Sequence, residues 1–232
     1  MTAEQRALYR RGAARFLNAY GRAGLRRKWS TSAVRAHTAA RRIARSAGDP
    51  SEEAAALNGL GAALAMRGRY ALALDTHATA RDLTDRSGDR PGHAQSLNGT
   101  ALCLDGLGRT GEAIALFTST RDMCVREDLT DGEITARFHL GLLLSQEGRA
   151  EEAAAEYTAV RDLHRALGRD LPQAHAGVHL GGVLLDLGRV EEAVAALTDA
   201  RAAARRSGDL HRVREVNRHL RAALLREPPD GD

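Results

Sequence analysis

The chain has 232 residues, 43% of them hydrophobic and 28% charged but only 3% aromatic, so its apolar mass is Ala, Leu and Val. That composition suits closely packed helices better than sheets and argues against disorder. The formal charge is only +4, yet residues 1 to 50 hold twelve basic and two acidic residues while the remainder is net −6, so any attraction to an acidic partner is confined to one end.

The first twenty residues carry Arg6, Arg10, Arg11 and Arg15 with no continuous apolar stretch, which is unlike a secretion signal. No later run is long enough for a membrane span. Cys103 and Cys124 form no CxxC pair, so neither a disulfide framework nor a zinc knuckle is expected, and a reducing cytoplasm fits. Lys28 is the one lysine among 34 basic residues, a bias that fits a GC-rich genome.

From residue 17 onward the chain repeats itself every forty residues without insertions. The register aligns Leu57 with Leu97; Gly68 with Gly108, Gly148 and Gly188; Ala73 with Ala113, Ala153 and Ala193; and Arg81 with Arg121, Arg161 and Arg201. Residues 17–56 form a worn first repeat, in which Leu17, Gly21, Ala33 and Arg41 keep their columns. Repeats 57–96, 97–136, 137–176 and 177–216 follow, which makes five. Each reads as two helices: Leu57, Leu60, Gly61 and Leu64 have helical spacing, and Ala73, His77 and Ala80 resume it after a Gly-Arg break.

Gly68 and its equivalents fall where a first helix must close. Glu112, Glu151, Glu152, Glu191 and Glu192 follow in the first turn of the second helix, where the helix dipole favours negative charge. Gly48, Gly88, Gly168 and Gly208 end the second helices, and Pro50, Pro91 and Pro172 open the next ones. Gly61, Gly141 and Gly181 sit inside first helices, where close approach of the Ala33, Ala73, Ala113, Ala153 and Ala193 column is expected to offset the loss of helix propensity. Residues 210–226 read as a final capping helix with Leu220, Leu224 and Leu225 facing inward, and residues 227–232 as a disordered polar tail. The whole chain, 1–232, is read as one all-α domain.

This pattern resembles the tetratricopeptide repeat family. The resemblance rests on Leu57, Leu60-Gly61, Gly68, Ala73, His77 and Ala80; on Leu97, Thr100-Ala101, Gly108, Ala113, Phe117 and Thr120; and on Leu140-Gly141, Gly148, Ala153, Tyr157 and Val160. The forty-residue unit is the extended variety seen in kinesin light chains and bacterial regulators, and Arg137 and Gly177 depart from it by replacing the first large residue. The resemblance implies an all-α helical solenoid of antiparallel helix pairs in a right-handed superhelical arc, with a concave groove lined by first helices that holds a peptide or helix of a partner protein.

The column beside Leu57 reads Asn18, Asn58, Asn98, Phe138, Val178 and Arg218, so three amides are expected to grip an extended peptide backbone, with apolar residues beyond them. The alternative is that these amides bond neighbouring helices. On the groove reading, replacing Asn58 and Asn98 by Ala should abolish binding without unfolding. Further groove columns contain Arg15, Ala55, Gln95, Thr135 and His175, and Arg22, Ala62, Leu102, Leu142 and Gly182. A carboxylate clamp has only Arg15, Arg22 and Arg26 to draw on.

His175 and His179 lie one turn apart with His139 one repeat earlier, a spacing compatible with zinc, but neighbouring groove columns lack a carboxylate or cysteine, and no metal or cofactor is expected. There is no GxSxG turn or phosphate loop, so catalysis is not expected. The column Arg41, Arg81, Arg121, Arg161, Arg201 is read as snorkelling interface cover. The reading that follows is a non-enzymatic interaction scaffold. The alternatives are the sensor portion of a bacterial transcription regulator, and nucleic-acid contact through the basic first repeat, with a homodimer left open.

Overall fold

A computed structural model describes residues 2–225, and the expected tail at 227–232 lies outside them. Eleven helices and no strand occur among the described residues: α1 (Ala3–Arg26), α2 (Ser30–Ser46), α3 (Pro50–Ala65), α4 (Tyr70–Ser87), α5 (Arg90–Gly106), α6 (Thr110–Arg126), α7 (Thr130–Gln146), α8 (Ala150–Ala166), α9 (Asp170–Asp186), α10 (Val190–Arg206) and α11 (Leu210–Leu224). This is the all-α helical-repeat solenoid that the resemblance implies. The helix pairs start at Ala3, Pro50, Arg90, Thr130 and Asp170, so a period counted from Leu57 begins midway along α3.

Two compact units divide the chain, Met1–Gly132 and Glu133–Asp232. In the first, each helix from α1 to α6 packs on the next, and α1 touches α3 and α3 touches α5. In the second, α8 to α11 follow the same rule and α9 touches α11. First helices therefore lie beside first helices in each unit.

The turns hold this register. Gly68, Gly108, Gly148 and Gly188 close first helices at φ of 70 to 75°, and Gly48, Gly88, Gly168 and Gly208 close second helices at φ of 63 to 73°, the left-handed region in which glycine meets no Cβ penalty. Lys28 and Asp128 stand at two of these columns and adopt the same region, with φ of 60° and 54°. Asp49, Asp89 and Asp209 cap α3, α5 and α11 by accepting from the amides of Glu52, Gly92 and Arg212. At the second helices, Arg109, Arg149 and Arg189 occupy the N-cap and each donates two hydrogen bonds to the glutamate three residues on, Glu112, Glu152 and Glu192. That explains why arginine and glutamate recur together there.

Ala33, Ala73, Ala113, Ala153 and Ala193 are fully buried. The mid-helix glycines, however, make room for a different residue from the one expected. A Cβ on Gly61 would lie 2.5 Å from the His77 ring, one on Gly141 3.0 Å from Tyr157 and one on Gly181 2.6 Å from Leu197. The glycine thus accommodates the large residue of the second helix, and the alanine column packs separately.

The two departures from the family pattern have local causes. Arg137 donates to Glu133 (2.7 Å) and to buried Glu156 (2.8 Å), and Gly177 lies where a Cβ would come within 2.8 Å of the Ala200 methyl. The interface-covering arginines behave as expected where they pair along the helix: Arg121 and Arg161 have side chains only 23% and 18% exposed and bond Asp122 and Asp162. In α11, Val216, Leu220 and Ala223 are buried whereas Leu224 and Leu225 are 68% and 83% exposed. The capping helix is therefore rotated from the expectation, and only Leu220 of the three leucines faces inward.

Candidate functional site

The asparagine column is where the structure departs most from the sequence reading. Asn18, Asn58 and Asn98 are 0, 1 and 3% exposed, so they line no groove, and their polar atoms hold repeats together. Asn58 Nδ2 donates to the Gly92 carbonyl at the start of α5 (3.1 Å), and Asn98 Nδ2 donates to the Gly132 carbonyl at the start of α7 (3.1 Å). Asn18 Nδ2 donates to both the backbone carbonyl and the carboxylate of Glu52 in α3. A carbonyl only accepts, so these contacts fix each amide with Oδ1 pointing the other way.

In the first two repeats that oxygen meets an imidazole. His37 Nδ1 lies 3.0 Å from Asn18 Oδ1 and His77 Nδ1 lies 3.2 Å from Asn58 Oδ1. Since Oδ1 only accepts, Nδ1 carries the proton in both rings. Ser96 Oγ adds a second donor to Asn58 Oδ1 at 2.9 Å. Each ring sits in a slot between two glycines of successive first helices: Gly21 and Gly59 enclose His37, and Gly61 and Gly99 enclose His77, with a built Cβ only 2.2 to 2.5 Å from the ring. Burial holds both imidazoles neutral, with pKa lowered to about 4, helped at His37 by Arg22.

The third repeat keeps the amide and loses the imidazole. Phe117, fully buried, stands in the histidine column, and Asn98 Oδ1 accepts no hydrogen bond among the described residues.

In the second unit the same columns are filled by rings. Phe138 stacks on His175 (centroids 5.4 Å, 26°) and meets His179 edge-on at 5.2 Å, Tyr157 stacks on His179 at 5.2 Å, and His139 meets Phe138 edge-on at 5.6 Å. Phe138, His139, His175 and His179 are all half-buried, so one side of the cluster stays open on the first-helix face. Burial lowers the pKa of His175, and that of His179 to about 4, with Arg212 and, for His179, His175 adding to the effect. The imidazoles entertained as zinc ligands are thus stacked in a ring cluster, and no group of three His, Cys, Asp or Glu able to hold a metal occurs among the described residues.

Of the other expected groove residues, Arg15, Arg22 and Gln95 are exposed on first helices, with Arg15 3.7 Å from Glu52. Val178 is 8% exposed and belongs to a core cluster with Leu197, Val216 and Leu220. What remains on first helices is Arg15, Arg22 and Gln95 within the first unit and, separately, Phe138, His139, His175 and His179 within the second. His139 and His179 were legible only as metal candidates. Their signal was the column Gly59, Gly99, His139, His179, in which ring replaces glycine where Phe138 replaces asparagine.

The second unit also has a cavity of about 620 Å³, lined by Glu151, Arg161, Leu184, Arg189, Glu192 and Asp199 among others. Its charges are already paired: Arg189 bonds Glu151 and Glu192. No helix among the described residues is long and apolar enough to cross a membrane.

Residues 52–124 match the family model described as tetratricopeptide repeat. No curated protein matches the sequence. Among solved structures, aspartyl phosphate phosphatase F from Bacillus subtilis superimposes with a TM-score of 0.78 at 15% identity, covering 95% of this chain and 58% of that one. A Rap protein complexed with competence and sporulation factor gives 0.73 at 15% identity, over 92% and 65%. A Podosopora anserina kinesin light chain with nearly identical TPR-like repeats gives 0.60 at 15% identity, over 84% and 96%. The chain thus spans less than two thirds of the first two, and at these identities the likeness shows the fold. The matched segment thus carries tetratricopeptide repeats, and helix pairs on both sides continue its forty-residue register.

Proposed function

We propose that the chain is a non-enzymatic interaction scaffold whose first-helix face holds a peptide or helix of a partner protein. The observation behind this reading is the half-open ring cluster of Phe138, His139, His175 and His179. It presents apolar faces beside imidazole nitrogens on a rigid helical platform, the surface chemistry that anchors side chains of a bound segment. Within the first unit, Arg15, Arg22 and Gln95 are exposed on first helices. The fold supports the reading, since a structure of like fold was solved as a Rap protein with competence and sporulation factor bound. The amide ladder is no part of this proposal.

The test is site-directed photo-crosslinking in the cells from which the protein comes, with the probe at Gln95 or His175 on the first-helix face and at Thr198 on a second helix. A discrete protein or peptide adduct from Gln95 or His175, absent from Thr198, supports the proposal. Equal labelling from all three positions refutes it.

A further inference from the structure

A second surface, on α1, is built to receive a helix. The exposed aromatics Tyr9, Phe16 and Tyr20 are 73, 71 and 50% exposed, and at 100° per residue all three project within about 40° of one another. Gly12 lies beside them with nothing within 4 Å of a built Cβ, so the ridge stands over open space. Leu8, at 72% exposed, extends one margin.

The repeat register says what such a face receives. Forty residues after Phe16 and at each period thereafter stand Ala56, Ser96, Ala136, Ala176 and Val216, all between 0 and 1% exposed. In the second unit the covering element is identified: Ala176 packs with Val160 of α8, and Val216 and Leu220 pack with Leu197 and Ala200 of α10. This column is where a first helix receives the second helix of the repeat before it, and in α1 it holds the ring of Phe16, with Tyr20 in the column of Leu220.

Charge identifies the occupant. Exposed Arg6 and Arg10 border one edge of the ridge and exposed Arg26 the other, within a segment of twelve basic and two acidic residues. A second copy docking by its own terminal helix would bring Arg214, Arg218 and Arg221 of α11 against these arginines, which like-charge repulsion opposes. We infer that α1 docks an acidic amphipathic helix of a partner protein, seated as the second helix of a preceding repeat would be, with small apolar residues over Phe16 and Tyr20 and carboxylates toward the arginines. This surface is separate from the ring cluster of the proposed scaffold face.

The probe is a fluorescent synthetic helix of 18 residues, the length of α4, with Ala and Leu on one face and Glu on its flanks, and a matched peptide with Lys for Glu. Anisotropy with the whole chain should show the Glu peptide bound at least about tenfold more tightly than the Lys peptide, with affinity falling as salt rises. The double variant Phe16→Ala, Tyr20→Ala removes only exposed rings, so its circular dichroism should match wild type while Glu-peptide affinity falls about tenfold or more. Phe138→Ala should leave that affinity unchanged.

Four results overturn the inference: equal binding of the Glu and Lys peptides; full binding by the double variant; a wild-type dimer in sedimentation that the double variant abolishes; or tighter binding of a single-stranded oligonucleotide than of the Glu peptide, lost in the double variant.

Discussion

His77 donates from Nδ1 to Asn58 Oδ1 at 3.2 Å while Asn58 Nδ2 donates onward to the Gly92 carbonyl, so one buried amide ties the second helix of its own repeat to the first helix of the next. Removing it leaves the buried imidazole N–H without a partner, while the Gly92 carbonyl keeps Ser96 Oγ at 3.0 Å. Asn58→Ala should therefore lower stability by about 1–3 kcal/mol, as one unsatisfied buried donor requires. Asn98→Ala strands no buried group, because Asn98 Oδ1 has no partner among the described residues and the Gly132 carbonyl lies in the first turn of α7 and keeps its helical bond, and should cost about 0.5–1.5 kcal/mol. Urea denaturation of the two variants checks the order, and equal losses would refute the account of the ladder.

The glycine slots predict a contrast between positions that look alike in sequence. Gly99→Ala would place a Cβ 2.3 Å from the His77 ring and should destabilise by about 1–3 kcal/mol through overpacking. Gly182→Ala meets nothing within 4 Å inside α9 and should stabilise by about 0.5–1 kcal/mol from helix propensity alone. Melting curves of the two variants should shift in opposite directions.

Stability should fall in mild acid. His37, His77 and His179 have folded-state pKa values lowered from 6.5 to about 4, so between those values the unfolded chain binds protons that the folded chain refuses. Stability therefore rises with pH across that window, is complete above about 6.5 and is lost as pH drops toward 4. His77→Phe, which copies the third repeat's own residue, should make the dependence shallower. Urea midpoints between pH 5 and 7.5 for both proteins measure it, and an unchanged slope would count against a neutral buried imidazole.

Asp128 holds a left-handed backbone with φ of 54° where the equivalent turns use glycine. Asp128→Gly should raise stability by about 0.5–1 kcal/mol, the relief of the Cβ strain less the added freedom of the unfolded chain. A lower melting temperature would show that the aspartate makes a compensating contact.

The period, helix pairs and turn glycines were legible because each is a local requirement repeated forty residues apart. Lys28 and Asp128 show that the repeat fold can impose the turn even without glycine. The fate of the asparagines was not legible from their column alone. Standing beside Leu57 in sequence says that Asn58 is near the packed face but not whether the next first helix covers it. The missing signal was joint: Asn18 with His37, Gly21 and Gly59 reappears as Asn58 with His77, Gly61 and Gly99, and the imidazole goes first at Phe117. Val178 misled for the same reason, since α11 covers it. Phe138 and His175 were recognised as facing outward, but their mutual stacking depends on distances between helices that no one-dimensional register contains.

The slots also make the repeats non-interchangeable. Excising residues 57–96 would join Ala56 to Leu97 and bring Gly99 over His37 in place of Gly59, a like-for-like exchange. Excising residues 97–136 would bring His139 into the column that Gly99 fills against His77, setting one ring where another already lies. A gene that gained or lost one unit by unequal recombination would thus yield a folding protein at the first junction and a jammed one at the second, although both keep the forty-residue phase.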